Sequence, residues 1–198
     1  MASEELNAQL ERAREQVELH PDSPKAQFNL GLALSKRGAV APAEEAYRKA
    51  LELDPELVEA WVNLGGALML RWDFKGSLEA NREALSRKED SVLAHYNTGQ
   101  ACLYLGDAEG VVHANRRVTE LDPKNAAGHY FLAVGLLSLG QVEEARDLAA
   151  RSQELGHSPA PDFLRVLHDA EVNLAKERSK GLIKQIGADA PDEPNRRN

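Results

Sequence analysis

Apolar positions in this chain recur at helical spacing and in paired runs. From Pro24 onward Leu30, Leu34 and their neighbours return every three or four residues until Gly38, which sets one stripe on one face of a helix. Asp22-Ser23-Pro24 begins that run with polar cap residues and a proline suited to the first turn. A second run, from Pro42 to Leu53, aligns Ala43, Tyr47, Ala50 and Leu51 and stops at Asp54-Pro55. Proline cannot continue a helix, and it pushes the residue before it out of the helical region. The predicted unit is therefore helix–turn–helix.

That unit repeats. Glu-Leu-Asp-Pro stands at 52–55 and again at 120–123, a step of 68, or twice 34. Pro21 lies 34 residues before Pro55, and Leu30-Gly31, Leu64-Gly65, Thr98-Gly99 and Leu132-Ala133 keep the same step. Gly106 and Gly140 keep it too.

A 34-residue helix–turn–helix period resembles the tetratricopeptide repeat (TPR) family. The resemblance implies an all-α, right-handed α-solenoid, with units at 24–57, 58–91, 92–125 and 126–159. Trp61, Leu64 and Gly65 bring the second unit nearest to the family at its start. The same unit departs from it at Trp72, where a turn glycine is expected, and at Glu89, where the closing proline is expected. Both its turn and its exit are therefore expected to be distorted. In the fourth unit Ala133 replaces the glycine and Ser152 the usual alanine. Residues 1–23 supply a lone N-terminal helix, with Leu6, Leu10, Ala13 and Val17 on one stripe, in register with the second helix of a missing unit. Residues 160–186 form a C-terminal capping helix, and the Pro- and charge-rich 187–198 read as a disordered tail.

In that architecture the first helix of each unit lines the concave face. Reading i, i+4, i+7 and i+11 gives Lys25, Asn29, Leu32 and Lys36, then Glu59, Asn63, Gly66 and Leu70, then Leu93, Asn97, Gln100 and Tyr104. Asn29, Asn63 and Asn97 thus occupy one equivalent site, and each amide can pair with both groups of a peptide unit. The row is similar to the asparagine ladder of O-GlcNAc transferase repeats, which implies a grip on peptide main chain. Tyr96, Tyr104, Tyr130 and Phe131 are expected to gather at the far end of the groove. The peptide-binding residues expected are Lys25, Asn29, Lys36, Glu59, Asn63, Tyr96, Asn97, Gln100, Tyr104 and Tyr130. Phe28, Leu32 and Leu93 stand where a chaperone-tail receptor would carry its carboxylate-clamping residues, so that class is not expected.

Charge and composition narrow the partner. Against 24 Lys+Arg stand 32 Asp+Glu, a net charge of -8, which disfavours nucleic acid and anionic lipid. Cys102 is the single cysteine, so neither an internal disulfide nor a cysteine zinc site is expected, and it reads as a small buried hydrophobe. His95 and His129 lie 34 apart without an i+4 ligand pair, so no metal, cofactor or catalytic role is expected. No apolar run reaches membrane-spanning length and Met1-Ala-Ser-Glu-Glu lacks signal-peptide character, so a cytoplasmic location is expected. The function expected is a non-catalytic adaptor binding a segment of another protein. The rivals are a self-assembling homo-oligomeric scaffold, resembling organelle-coat or magnetosome-associated TPR proteins, and the repeat module of a larger enzyme such as a glycosyltransferase.

Overall fold

A computed structural model describes residues 2–188 of the chain, with side chains placed for 4–180. Ten helices follow one another among the described residues: α1 (Ala2–Leu19), α2 (Pro24–Lys36), α3 (Val40–Leu53), α4 (Val58–Leu70), α5 (Phe74–Arg87), α6 (Val92–Leu105), α7 (Ala108–Leu121), α8 (Ala126–Ser138), α9 (Val142–Glu154) and α10 (Pro161–Ala188). Each packs on the next. In addition α4 touches α6 and α6 touches α8, which puts the first helices on the inside of the curve. The result is the expected all-α solenoid. Of the expected disordered tail, Gly187 and Ala188 belong to α10, and 189–198 lie outside the described residues.

Helix starts follow the sequence closely. Ser23, Asp73, Ser91, Asp107 and Asn125 each accept a hydrogen bond from the backbone N–H three residues on, satisfying one of the donors left free at a helix start. Within each pair the turn is closed by a bond spanning five residues: Ala39 N to Leu34 O, Asp73 N to Leu68 O, Asp107 N to Cys102 O and Gln141 N to Leu136 O, all 2.9–3.0 Å. This closure needs one left-handed residue, supplied by Gly38 (φ 72°), Gly106 (75°) and Gly140 (75°). In the second pair Trp72 takes the same conformation at φ 64°. The turn expected to be distorted is therefore regular, and the strain falls on Trp72, about 1–2 kcal/mol for a side chain held left-handed.

Every exit between pairs is pinned from above. Gln27 Nε2 donates to Pro21 O (3.4 Å) and Trp61 Nε1 to Pro55 O (2.8 Å). His95 Nε2 bonds Glu89 O (2.8 Å) and His129 Nε2 bonds Pro123 O (3.1 Å). These are equivalent positions in four consecutive units. The carbonyl can only accept, so each imidazole carries its proton on Nε2. The pin works with Glu89 as well as with proline, and Lys88 keeps the extended backbone (φ -142°) that Asp54 has. The second exit is thus undistorted as well.

Helices within a pair meet where a residue without a side chain faces a larger one. A Cβ on Gly31 would overlap the Tyr47 ring, and one on Gly65 or Gly99 would overlap the Asn81 or Asn115 amide. Ala133 and Ala149, the equivalents in the fourth pair, share one buried cluster. Ser152 is buried and its hydroxyl donates to Ala126 O at 2.8 Å, which explains the departure from alanine. The apolar core is not continuous. One cluster runs from Leu10 to Ala80, a second gathers Val62, Ala84 and Ala94, and a third runs from Leu132 to Leu167; between the first and the last, Asn81, His95 and Asn115 are buried alongside Val111 and Val118. Cys102 is buried in its helix face with its thiol pKa pushed up by burial, as a small hydrophobe.

Two stability tests follow from this packing. Gly65→Ala should destabilise by about 1–3 kcal/mol through overpacking against Asn81. Its neighbour Gly66, with open space where a Cβ would go, should gain about 0.5–1 kcal/mol as Gly66→Ala; urea unfolding of both variants reads the difference. Burial, with Arg117 and His113 nearby, holds the His95 pKa below the usual histidine value. The unfolded chain therefore binds this proton more readily, and stability should be full above pH ~6.5 and fall as the pH drops below that. His95→Gln, which keeps the donor as Gln27 does, should flatten the melting temperature between neutral pH and pH ~5.5; an unchanged acid slope would exclude His95 as its source.

Candidate functional site

The inner face is built from α2, α4, α6 and α8, with α1 closing its N-terminal end. α1 occupies the place of a second helix, but its inward face differs. Ala43, Ala46, Tyr47 and Ala50 of α3 correspond to Gln9, Arg12, Ala13 and Gln16 of α1, one 34-residue step earlier. This face is polar and opens a cleft of about 300 Å³ lined by Gln9, Arg12, Gln16, Asn29, Leu32 and Lys36. A second cleft, of about 330 Å³, lies between α2 and α4 and is lined by Lys25, Phe28, Asn29, Asp54, Leu57 and Glu59. Asn29 borders both. Lys25, Asn29, Lys36 and Glu59 are exposed, and Lys36 Nζ reaches Gln9 Oε1 at 3.5 Å.

The three equivalent asparagines are not used alike. Asn29 is exposed, with no hydrogen-bond partner among the described residues. Asn63 Nδ2 donates to Glu59 O of its own helix at 2.7 Å. Asn97 Nδ2 points back into the preceding pair, to Val62 O at 3.5 Å and to the buried Asn81 Oδ1 at 3.4 Å. The donor changes from ligand-ready to structural because Asn81 replaces the tyrosine of the first pair. One unit on, Phe131 stands where Asn97 did, and Asn115 Oδ1 is left buried without a partner.

The expected aromatic end of the groove divides in two. Tyr96 packs edge-on to Phe131 (5.8 Å), and Phe131 to Tyr130 (5.1 Å). Tyr130 also meets Phe163 of α10 (5.2 Å) and His157 (4.7 Å). All are half-buried. The Tyr96 hydroxyl accepts from Gln100 Nε2 at 2.7 Å, and burial raises its pKa. Tyr104 does not join them. Its ring stacks on Phe74 at 4.5 Å and 3°, with Trp72 edge-on at 6.2 Å, at the turn edge of the solenoid. Tyr104 reaches that edge because it lies in the last turn of α6, and the sequence signal for it is Trp72 and Phe74 lying one unit behind. The polar α1 face is also absent from the sequence-based expectations, although its spacing from α3 marks it.

Among the described residues no three His, Cys, Asp or Glu side chains converge to hold a metal. No described helix is long and apolar enough to cross a membrane. The arrangement presents amides, charges of both signs and rings along one curved face.

Comparison with known proteins agrees with this architecture. The tetratricopeptide repeat family matches residues 24–57 in one form, and 42–92 and 96–159 in another. No curated protein matches. Among solved structures, MamA superposes with a TM-score of 0.72 at 17% identity, covering 78% of this chain and 90% of that one. YrrB, described as a TPR protein with an unusual peptide-binding site, gives 0.68 at 21% identity, with 86% of each chain covered. TTC0263, a thermophilic TPR protein of Thermus thermophilus, gives 0.61 at 19% identity, covering 86% of this chain and 93% of that one. At these identities the structures support the fold, and the repeat matches extend over more than half of the sequence. The chain belongs to the tetratricopeptide repeat family.

Proposed function

We propose that the chain is a non-catalytic adaptor that holds an extended segment of a partner protein against its inner face. Asn29 carries this reading: an exposed amide with both its donor and its acceptor free, at the junction of two open clefts. Such a group can bond the N–H and C=O of one peptide unit at once. Asn63 keeps its carbonyl oxygen available one helix further along, and neighbouring helices ~8–10 Å apart match about three residues of extended chain. Lys25, Lys36, Arg12 and Glu59 flank the path and can read ligand charge. The likeness to YrrB is consistent with peptide recognition on this fold. In this reading the units at 24–57, 58–91, 92–125 and 126–159 form the groove, and the helical segments 1–23 and 160–186 close its ends. The setting is the cytoplasm, where the lone Cys102 stays a free thiol.

The test is to pan a random peptide library on the intact chain, then measure affinity and melting for three variants. Asn29→Ala and Asn63→Ala should each weaken binding by about 0.5–1.5 kcal/mol, the usual net value of a hydrogen bond, with melting unchanged. Asn97→Ala should do the reverse, lowering the melting temperature and leaving affinity intact, since its amide is spent on Asn81. Unaltered affinity in both Asn29→Ala and Asn63→Ala would remove the inner face as the site.

A further inference from the structure

Three of the chain's ten aromatic side chains sit together on its surface at one turn edge. Trp72 is 74% exposed and Tyr104 58%, with Phe74 between them. Leu70 (69%) and Leu105 (40%), close to them in sequence, are exposed as well. An exposed cluster of this kind marks an interaction surface, and Trp and Tyr are the residues that most often dominate one. Trp72 also holds a left-handed backbone that glycine takes in the sister units, so this ring is kept out at the surface against its own conformational preference.

The chain contains a segment of matching chemistry. Beyond α10 the sequence reads Asp189-Ala-Pro191-Asp-Glu-Pro194-Asn-Arg196-Arg197-Asn198. Two prolines three residues apart favour the extended left-handed helix that docks on aromatic surfaces, and the arginines that follow are suited to aromatic faces. Charges match as well. Asp73 lies between Trp72 and Phe74, and Asp107 follows Tyr104 by three residues; each caps a helix through one carboxylate oxygen yet stays exposed and charged, suited to Arg196 and Arg197. Lys75 beside Phe74 suits Asp192 and Glu193. Arg71, the other nearby cation, is engaged by Glu44 at 2.7 Å.

Geometry decides whose segment docks. Phe163 near the start of α10 packs on Tyr130 near the start of α8, and Arg178 bonds Glu143 at 2.8 Å. α10 thus runs parallel to the first helices and leaves the stack at the turn edge, continuing for ten residues past Arg178, ~15 Å. From there the patch on α6 lies two helix spacings to the side, ~20 Å, a total of roughly 25 Å. Pro191 is only three residues past Ala188, ~10 Å of chain. The prolines of the same copy fall short; those of a second copy do not.

We propose that the Trp72–Phe74–Tyr104 surface binds the Pro191–Arg197 segment of a second copy of this chain. Because donor and acceptor surfaces differ, the contact is heterologous and links copies head to tail, into a ring or an open series. It is separate from the inner groove and from the reading placed there.

The experiment titrates a fluorescein-labelled synthetic peptide of residues 188–198 with the intact chain and follows polarisation. Saturable binding is expected, weakened about tenfold or more by Trp72→Gly, while the melting temperature of that variant rises because glycine relieves the backbone. The peptide with Pro191→Ala and Pro194→Ala, and the one with Arg196→Glu and Arg197→Glu, should lose binding to a similar degree. Sedimentation of the intact chain should show average mass rising from 21.7 kDa with concentration, and Trp72→Gly should hold it there. No binding up to millimolar chain, equal binding of a scrambled peptide, affinity untouched by Trp72→Gly, or a monomer at every concentration would overturn the proposal. Loss on Asn29→Ala but not on Trp72→Gly would also overturn it, placing the segment in the inner groove and leaving the groove reading standing.

Discussion

The close approach of the two helices in each pair is the contact on which the rest of the solenoid depends. Gly31, Gly65 and Gly99 leave room for Tyr47, Asn81 and Asn115 to enter the opposing helix. Where the knob shrinks to Ala149, the socket can be filled by Ala133. This reciprocity fixes how far the helices of a pair stand apart, and with it the depth of the inner face. Everything on that face is displayed at positions that packing has not claimed.

The pins at the exits then set how one pair follows the next. Gln27, Trp61, His95 and His129 differ in size and charge, yet each reaches the carbonyl six residues back. What the position requires is a side-chain N–H at the right height. That requirement is invisible to hydrophobic periodicity, and it gives His95 and His129 a structural reason to recur at one repeat spacing.

The period, the helix boundaries and the small-residue contacts are legible in the sequence because each rests on local chemistry repeated four times. Expectations fail where one residue's role depends on its neighbour one unit away. Trp72 reads as a broken turn, but the closure from Asp73 N to Leu68 O needs only a left-handed residue, not a glycine. The asparagine row reads as uniform because its spacing is uniform; Asn81, buried in the preceding pair, takes Asn97 out of it. Tyr104 parts from the aromatic group expected for it on the same grounds, since the rings that hold it belong to the second pair. The polar face of α1 shows only when its register is set against α3.

The polar groups buried among apolar ones at the middle of the molecule bear on how it can move. The apolar clusters ending at Ala80 and beginning at Leu132 flank a smaller one of Val62, Ala84 and Ala94, and there Asn81, His95 and Asn115 are buried among Val111 and Val118, with the Asn115 side-chain oxygen unpaired. Close-packed apolar interiors are held by dense dispersion contact, whereas a buried hydrogen-bonding group can exchange partners. The Asn115 oxygen is such a group, placed where α7 meets α6, and a small shift of that pair is the motion that would give it a partner.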